Sequence, residues 1–333
     1  MNLPLPPPPH DIVRGGAPVT GRFAGRIAQL DWAPLQAPHR RSWLWHQLHH
    51  KRWHYVGLGN SRCFIGVAIV DLGWTCTAFA YLFDRQRRTL LANWRQDGLP
   101  GLQAGVSDAP LAGANAWFRG PGARLSLAHG PGDQLALTVH TRTLSLEAEL
   151  DLRDMPPPLL AIGPIEGGIA HATQKTTALP VQGWAETPGQ RFELGDAWAA
   201  VDASNGLLAR DTAWRWASAH RGDVGFNLQQ GYFGAQENVL WLDGQPSALG
   251  AARFDFHAGE PLRPWRVHTV DGLLDLTFTP EGARGEDRNL GFAASHYVQP
   301  IGTFSGTVRA SLGEPAREVH DLLGVTEDHR SRW

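Results

Sequence analysis

From Trp53 onward, apolar residues recur at every second position in short runs separated by glycine-containing turns. That period of two commits most of the chain to antiparallel β-sheet, because successive strand residues point to opposite faces. Phe254 and Phe256 alternate with Arg253, Asp255 and His257, Leu274, Leu276 and Phe278 alternate with Asp275, Thr277 and Thr279, and Val239-Leu240-Trp241-Leu242 runs into the turn pair Asp243-Gly244. Each run suits a half-buried strand. Between Leu135 and Leu152 the apolar parity switches from Leu135, Leu137 and Val139 to Leu144, Leu146, Ala148 and Leu150, so a bulge or turn is expected near His140 to Thr143.

With 333 residues, the chain exceeds one ordinary core, and two cores of roughly 150 residues each are expected. Met155-Pro156-Pro157-Pro158 cannot sit inside a central strand and marks the expected boundary. The division is a disordered, proline-rich start over 1–18, an N-terminal β domain over 19–155 and a C-terminal β domain over 156–333 carrying most candidate site residues. The expected class is therefore all-β, two consecutive antiparallel barrels or curved sandwiches with a few short helices. The best helix candidate is Leu35 to His50, rich in Leu and Trp, of the kind that covers a barrel end. His46 and His50 have the i, i+4 spacing of some zinc sites, but Gln47 and Leu48 follow where a catalytic glutamate would stand. With Arg40, Arg41, Lys51 and Arg52 nearby, this is read as a solvated basic face, and no metal is expected.

The formal charge of −2 provides no field to attract a polyanion, so nucleic acid is not an expected partner. Phe64 to Phe83 is apolar and nearly long enough to span a bilayer. Asp71 near its centre would cost about 2.5–3.5 kcal/mol there, and Asp71-Leu72-Gly73 reads as a turn. A buried β-hairpin fits better than a transmembrane helix. Cys63 and Cys76 on its two arms would be about 16–20 Å apart, too far for a disulfide. Two reduced cysteines and a start without a secretory pattern point to the cytoplasm. No Walker loop, dinucleotide fingerprint, G-x-S-x-G elbow or HExxH occurs, and no cofactor is expected.

Chemistry-bearing residues concentrate in the second half. Trp214 and Trp216, two apart on one strand, share a face with Arg215 opposite, and paired tryptophans can wall a flat ligand or face a positive centre. For one tryptophan alone, filling a core is the commoner role. Asn205-Gly206 reads as a turn. Glu237 and Asn238 precede the apolar strand with Trp241; such a pair often caps a turn, but burial would raise the Glu237 pKa and make it a proton donor. Asn227 lies upstream, His296, Tyr297 and Gln299 precede Pro300, and Glu327-Asp328-His329 approaches the C-terminus. A terminal acidic and His group is commonly only exposed.

These segments together resemble an uncharacterised bacterial family allied to the carotenoid 1,2-hydratases, the AttH-like proteins and, more remotely, the tocopherol cyclases. The resemblance is carried by Lys51-Arg52-Trp53-His54-Tyr55, Asp71-Leu72-Gly73-Trp74, Phe79 to Asp84, Leu208 to Ala217, Phe226-Asn227-Leu228, Glu237-Asn238, and Gly324 to His329 with Trp333. It implies two lipocalin-like (calycin) barrels with a ligand cavity at or between them, and cofactor-free hydration, cyclisation or isomerisation of apolar substrates. The hydratase D-x-E-W signature has Asp211-Thr212-Ala213-Trp214 as its counterpart, with Ala213 where the glutamate belongs. The acid is therefore sought at Asp202, Asp211 or Glu237, with His296 as a further catalytic candidate.

The expected ligand-binding set is Arg210, Trp214, Trp216, Asn227, Asn238 and Trp241, joined by Tyr297, Gln299, Glu327 and His329 and, from the first half, by Trp53 and His54. The leading expectation is a cofactor-independent hydratase, isomerase or cyclase acting on a small, largely apolar substrate in a Trp-lined barrel cavity. A non-catalytic carrier of a hydrophobic metabolite and a carbohydrate-active protein are the alternatives. Whether the chain is an enzyme, its substrate and its oligomeric state stay open at this level.

Overall fold

The computed structural model describes residues 4–289 and 294–332; Met1, Asn2, Leu3 and Trp333 of the readings above lie outside the described residues. The fold is all-β. Among the described residues two large antiparallel sheets follow one another, one of 15 strands and one of 9, with a single α-helix, Trp43–His49. The path of the first sheet runs from Thr89–Gly98 through Cys76–Asp84, Cys63–Asp71 and His50–Gly59 to Trp198–Leu207. It continues through Leu179–Thr187, Ser145–Asp151, Gln134–His140, Ala123–Gly130 and Asn115–Gly120 to Ala104–Val106. The sheet curls into a nearly closed barrel, so that Ala104 and Val106 at one end share an apolar core with Ile65 and Val67. The second sheet, centred on Asp211–Arg221, Ala294–Val308 and Arg317–Arg332, curls into a half-barrel around Phe226, Trp265, Phe278 and Phe304. Both concave interiors are filled with side chains.

The strand periodicity is realised as read. Cys63–Asp71 and Cys76–Asp84 form the expected hairpin, its turn held by an Asp71 Oδ1 that accepts from Gly73 N at 2.8 Å. Cys63 pairs with Asp84 and Cys76 with Asp71, so the two buried thiols sit at opposite ends. No helix among the described residues is long and apolar enough to cross a membrane. The parity switch is a turn between Gln134–His140 and Ser145–Asp151.

Four expectations fail. The start is not loose from residue 4 on. Ala24 N donates to Pro6 O at 2.9 Å, and Ile12 and Val13 enter a core with Leu160, Ile162 and Leu207, because this sheet face needs an apolar cover. The proline run does not divide the sheets, since Leu159–Pro164, Ala170–Lys175 and Trp198–Leu207 all belong to the first one and the changeover falls between Leu207 and Asp211. The helix spans only Trp43–His49, capped by Ser42, and buries no residue, with Trp43 74% exposed, so it plugs nothing. Asn205-Gly206 is no turn but lies inside Trp198–Leu207, paired on both sides with Ala172-His171 and Arg52-Lys51.

The convex face of the first sheet meets a face of the second. Phe64, Tyr81 and Phe83 pack against Trp216, Ile301 and Val325, while Leu159 and Ala161 pack against Phe233, Val239 and Trp241.

Candidate functional site

Strand parity decides which residues reach this junction. On His50–Gly59, Val56 and Leu58 enter the barrel core, leaving Trp53 and Tyr55 on the opposite face. On Asp211–Arg221, Ala217 and Ala219 enter the second core, leaving Trp214 and Trp216 directed at the first sheet. The two faces enclose a cavity of about 130 Å³. Trp53, Tyr55, Phe79, Lys175 and Asp202 come from the first sheet. Trp214, Trp216, Gln229, Tyr232, Glu237, Tyr297, Gln299, Glu327 and His329 come from the second half. The cavity is thus between the sheets and not inside a barrel, and the C-terminal half supplies only one wall.

Two polar centres face this space. In the first, the Lys175 ammonium lies 2.5 Å from Asp202 Oδ2 and 2.8 Å from Glu237 Oε2. Lys175 and Asp202 are register partners on neighbouring strands, and Asp202 Oδ1 accepts from Ser204 Oγ at 2.8 Å. Glu237 arrives from the other half on a turn that its neighbours fix. Asn227 Nδ2 donates to Glu237 O at 2.9 Å, and Asn238 Oδ1 accepts from Gln229 N at 2.6 Å while its Nδ2 donates to Gly250 O at 2.9 Å. Burial would raise Asp202, but the Lys175 charge and the bonds from Lys175 and Ser204 outweigh it and hold that carboxyl below its ordinary value. Burial also raises Glu237, and the negative charge of Asp202 adds to it, so the attraction of Lys175 does not bring Glu237 back down. One buried ammonium serves two carboxyls, and of the two Glu237 is the one whose proton is held more tightly.

In the second centre, Glu327 Oε1 accepts from Trp214 Nε1 at 2.8 Å and lies 3.3 Å from His329 Nδ1. Glu327 Oε2 accepts from Gln299 Nε2 at 2.9 Å, and Gln299 Oε1 in turn accepts from the Tyr81 hydroxyl. Trp216 Nε1 donates to Asn227 Oδ1 at 2.8 Å, which fixes the indole that walls the cavity. Neither polar atom of the buried Gln229 amide has a hydrogen-bond partner among the described residues, and this side chain lines the cavity.

Of the sequence candidates, Trp53, Asp202, Trp214, Trp216, Glu237, Tyr297, Gln299, Glu327 and His329 converge on one space. Asn227 and Asn238 stand behind it as supports. The remainder lie elsewhere. Asp211 is exposed and pairs with Arg332 at 2.9 Å, Arg210 is exposed, and His296 is half exposed, 3.7 Å from Asp287. Trp241 is buried with its Nε1 donating to Pro157 O at 2.9 Å, a packing role. His54 points the opposite way from Trp53 and Tyr55, buried against Pro110 O at 3.3 Å. Lys175 went unnoticed, as did Tyr55, Phe79, Gln229 and Tyr232. A lone lysine at the end of Ala-His-Ala-Thr-Gln-Lys offers no spacing signal, and only the pairing with Asp202 and Glu237 gives it meaning.

No ion-binding group of three or more His, Cys, Asp or Glu occurs among the described residues. Two curled antiparallel sheets with a polar-and-aromatic cavity at their junction define a two-sheet lipocalin-like protein. Residues 14–333 match the family model described as "Domain of unknown function (DUF2804)", and the chain belongs to that family. It is similar to the crystal structure of a protein described as an AttH (NE1406) from Nitrosomonas europaea, with a TM-score of 0.58, 13% identity and coverage of 96% of this chain and 98% of that one. It is also similar to CghA with Sch210972, with a TM-score of 0.53, 9% identity and 97% of each chain covered. Kievitone hydratase from Nectria haematococca matches with a TM-score of 0.49 and 8% identity, covering 94% of this chain and 98% of that one. At these identities the likeness is one of fold. No curated protein matches.

Proposed function

We propose that the chain is an acid–base enzyme of the hydratase, isomerase or cyclase kind, using its own side chains on a small, largely apolar organic substrate held between the sheets. The observation that carries this reading is Glu237, a buried carboxyl on the cavity wall, pushed up in pKa and sharing Lys175 with an ionised Asp202. Protonated Glu237 delivers its proton to an alkene or enol carbon. The resulting cation faces the Trp214 and Trp216 rings, and the glutamate left behind is stabilised by the ammonium 2.8 Å away. Capture of the cation by water, loss of a neighbouring proton or attack by an internal nucleophile completes hydration, isomerisation or cyclisation respectively. The unpartnered Gln229 amide, in place of Arg210 and His296, is positioned to orient a substrate oxygen.

A carrier of apolar metabolites would explain the aromatic walls but not the buried Lys175–Asp202 ion pair with Glu237 beside it, since desolvation costs several kcal/mol per ion. The carbohydrate reading required two carboxylates facing each other across an open groove. Asp202 and Glu237 instead lie side by side on one ammonium.

The test begins with native mass spectrometry of protein isolated from its own host, to identify a bound compound, followed by turnover assays of that compound in D2O. Glu237→Gln is expected to lower turnover by about 10²-fold or more while deuterium incorporation by the unaltered protein continues. A compound returned unchanged by the unaltered protein establishes the carrier instead, and full turnover by Glu237→Gln removes that residue from the chemistry.

A further inference from the structure

A second, larger chamber of about 350 Å³ adjoins the cavity, sharing Val70, Phe79, Tyr297 and His329 with it. Its character is different. Leu274–Asn289 presents Arg284, Glu286 and Arg288, two apart along the strand, and Thr89–Gly98 presents Arg95 and Asp97. Among the described residues these form a cluster of three guanidiniums and two carboxylates. Asp97 is taken by Arg95 at 3.0 Å and Arg288 at 2.5 Å, and Glu286 lies in close contact with Arg95 and 3.6 Å from Arg288.

Arg284 is the least closely paired cation of this cluster. Its side chain is only 3% exposed, yet its carboxylate partner Glu286 is 3.9 Å away and shared with Arg95 and Arg288, while Nε donates to the neutral Asn93 Oδ1 at 3.0 Å. The guanidinium is otherwise walled by rings, 4.2 Å from the centre of Phe79, 5.1 Å from Tyr297 and 5.6 Å from Tyr81. The Arg85–Glu281 pair is complete by contrast. Arg85, joining the two sheets, holds both oxygens of Glu281 at 2.6 and 2.9 Å. A buried guanidinium without a close carboxylate is costly, and its planar fork fits an incoming carboxylate through two parallel bonds. Phe79 and Tyr297 line both chambers and their rings pack together at 6.3 Å, so Arg284 lies against the wall that the two chambers share.

We infer that the outer chamber is a carboxylate-recognition subsite, so that the substrate is an amphipathic carboxylic acid. Its carboxylate docks on Arg284 and its apolar body reaches past the Phe79–Tyr297 pair toward the inner cavity. This rests on the reading above that the inner cavity takes an apolar substrate, and it deepens that reading by naming the group at the other end.

A binding measurement separates the two. Isothermal titration of the full chain with 2-naphthoate and with neutral, nearly isosteric 2-naphthamide is expected to favour the acid by about tenfold or more, the size of a charge-assisted bond. Arg284→Met is expected to abolish the preference, Arg284→Lys to reduce it, and Glu237→Gln to leave it in place. Equal affinities, no binding of either probe to the unaltered protein, or a preference that survives Arg284→Met overturns the subsite. If Arg284→Met does not fold, the comparison on the unaltered protein and on Arg284→Lys decides. An acid preference that holds while Glu237→Gln keeps full turnover refutes the proposed catalysis and leaves the subsite standing.

Discussion

Three histidines, His54 and His171 buried and His220 partly so, have pKa values pushed well down, and they set how this protein responds to acid. Burial pushes His171 and His220 down to about 3, and His54 to about 4 despite the carbonyl of Pro110. His171 is the extreme case, fully buried beside Trp53, Tyr232 and Phe233, with neither ring nitrogen hydrogen-bonded among the described residues. In an unfolded chain each ring takes a proton near pH 6.5, so between about 6.5 and the folded values the unfolded state binds more protons. Their contribution to stability is therefore complete above about pH 6.5 and is lost progressively as pH falls through that window. Urea midpoints are expected to drop steeply toward about pH 4, and His171→Leu to flatten the slope by about 1.4 kcal/mol per pH unit. A slope unchanged in that variant would mean His171 is protonated in the folded chain. Glu237 gives the opposite kind of signal. Its raised pKa predicts that the infrared carbonyl band of its protonated carboxyl persists to higher pH than for an ordinary glutamate, and that this band is absent in Glu237→Gln.

At the scale of elements, the close approach of the sheets is written into single glycines. A Cβ on Gly282 would meet Phe83 Cε2 at 2.4 Å, ring against backbone across the junction. Three residues along the same strand, a Cβ on Gly285 would find only an ordinary contact, 3.4 Å from Tyr297 O. Gly282→Val is expected to cost about 1–3 kcal/mol by overpacking, and Gly285→Val to stay within about 0.5 kcal/mol, both read from denaturant midpoints. Similar losses at the two positions would place the sheets farther apart than described. Strand periodicity was legible in the sequence because parity is local. The helix was not, since the stretch Leu35 to Arg41 is preceded by Pro34 and interrupted by Pro38, and is used in turns and apolar cover. Asn205-Gly206 misled for a related reason, because a turn dipeptide flanked by two partner strands has its backbone bonds made for it by the sheet.

For the molecule as a whole, the aromatic layer of Phe64, Tyr81, Phe83 and Trp216 and the Arg85–Glu281 pair tie the two sheets into one body. Thermal unfolding followed by tryptophan fluorescence and by far-ultraviolet circular dichroism is expected to give coincident transitions. Two separated transitions would show that each sheet folds independently and that the junction contributes little. Residue types alone announced the all-β class, the hairpin at Phe64 to Phe83, the shared face of Trp214 and Trp216 and the suspicion attached to Glu237, because side-chain alternation and turn chemistry act over a few residues. Which convex face meets which half-barrel depends on curvature accumulated over many strands, and no short window of sequence encodes that. Only the folded chain therefore decided that Lys175 and Asp202 stand across from Glu237, that Asp211 and His296 face water, and that Arg284 is buried without a close carboxylate. A charge acquires its chemical meaning from its distance to other charges, and those distances are set by contacts between residues as far as 196 apart in the chain.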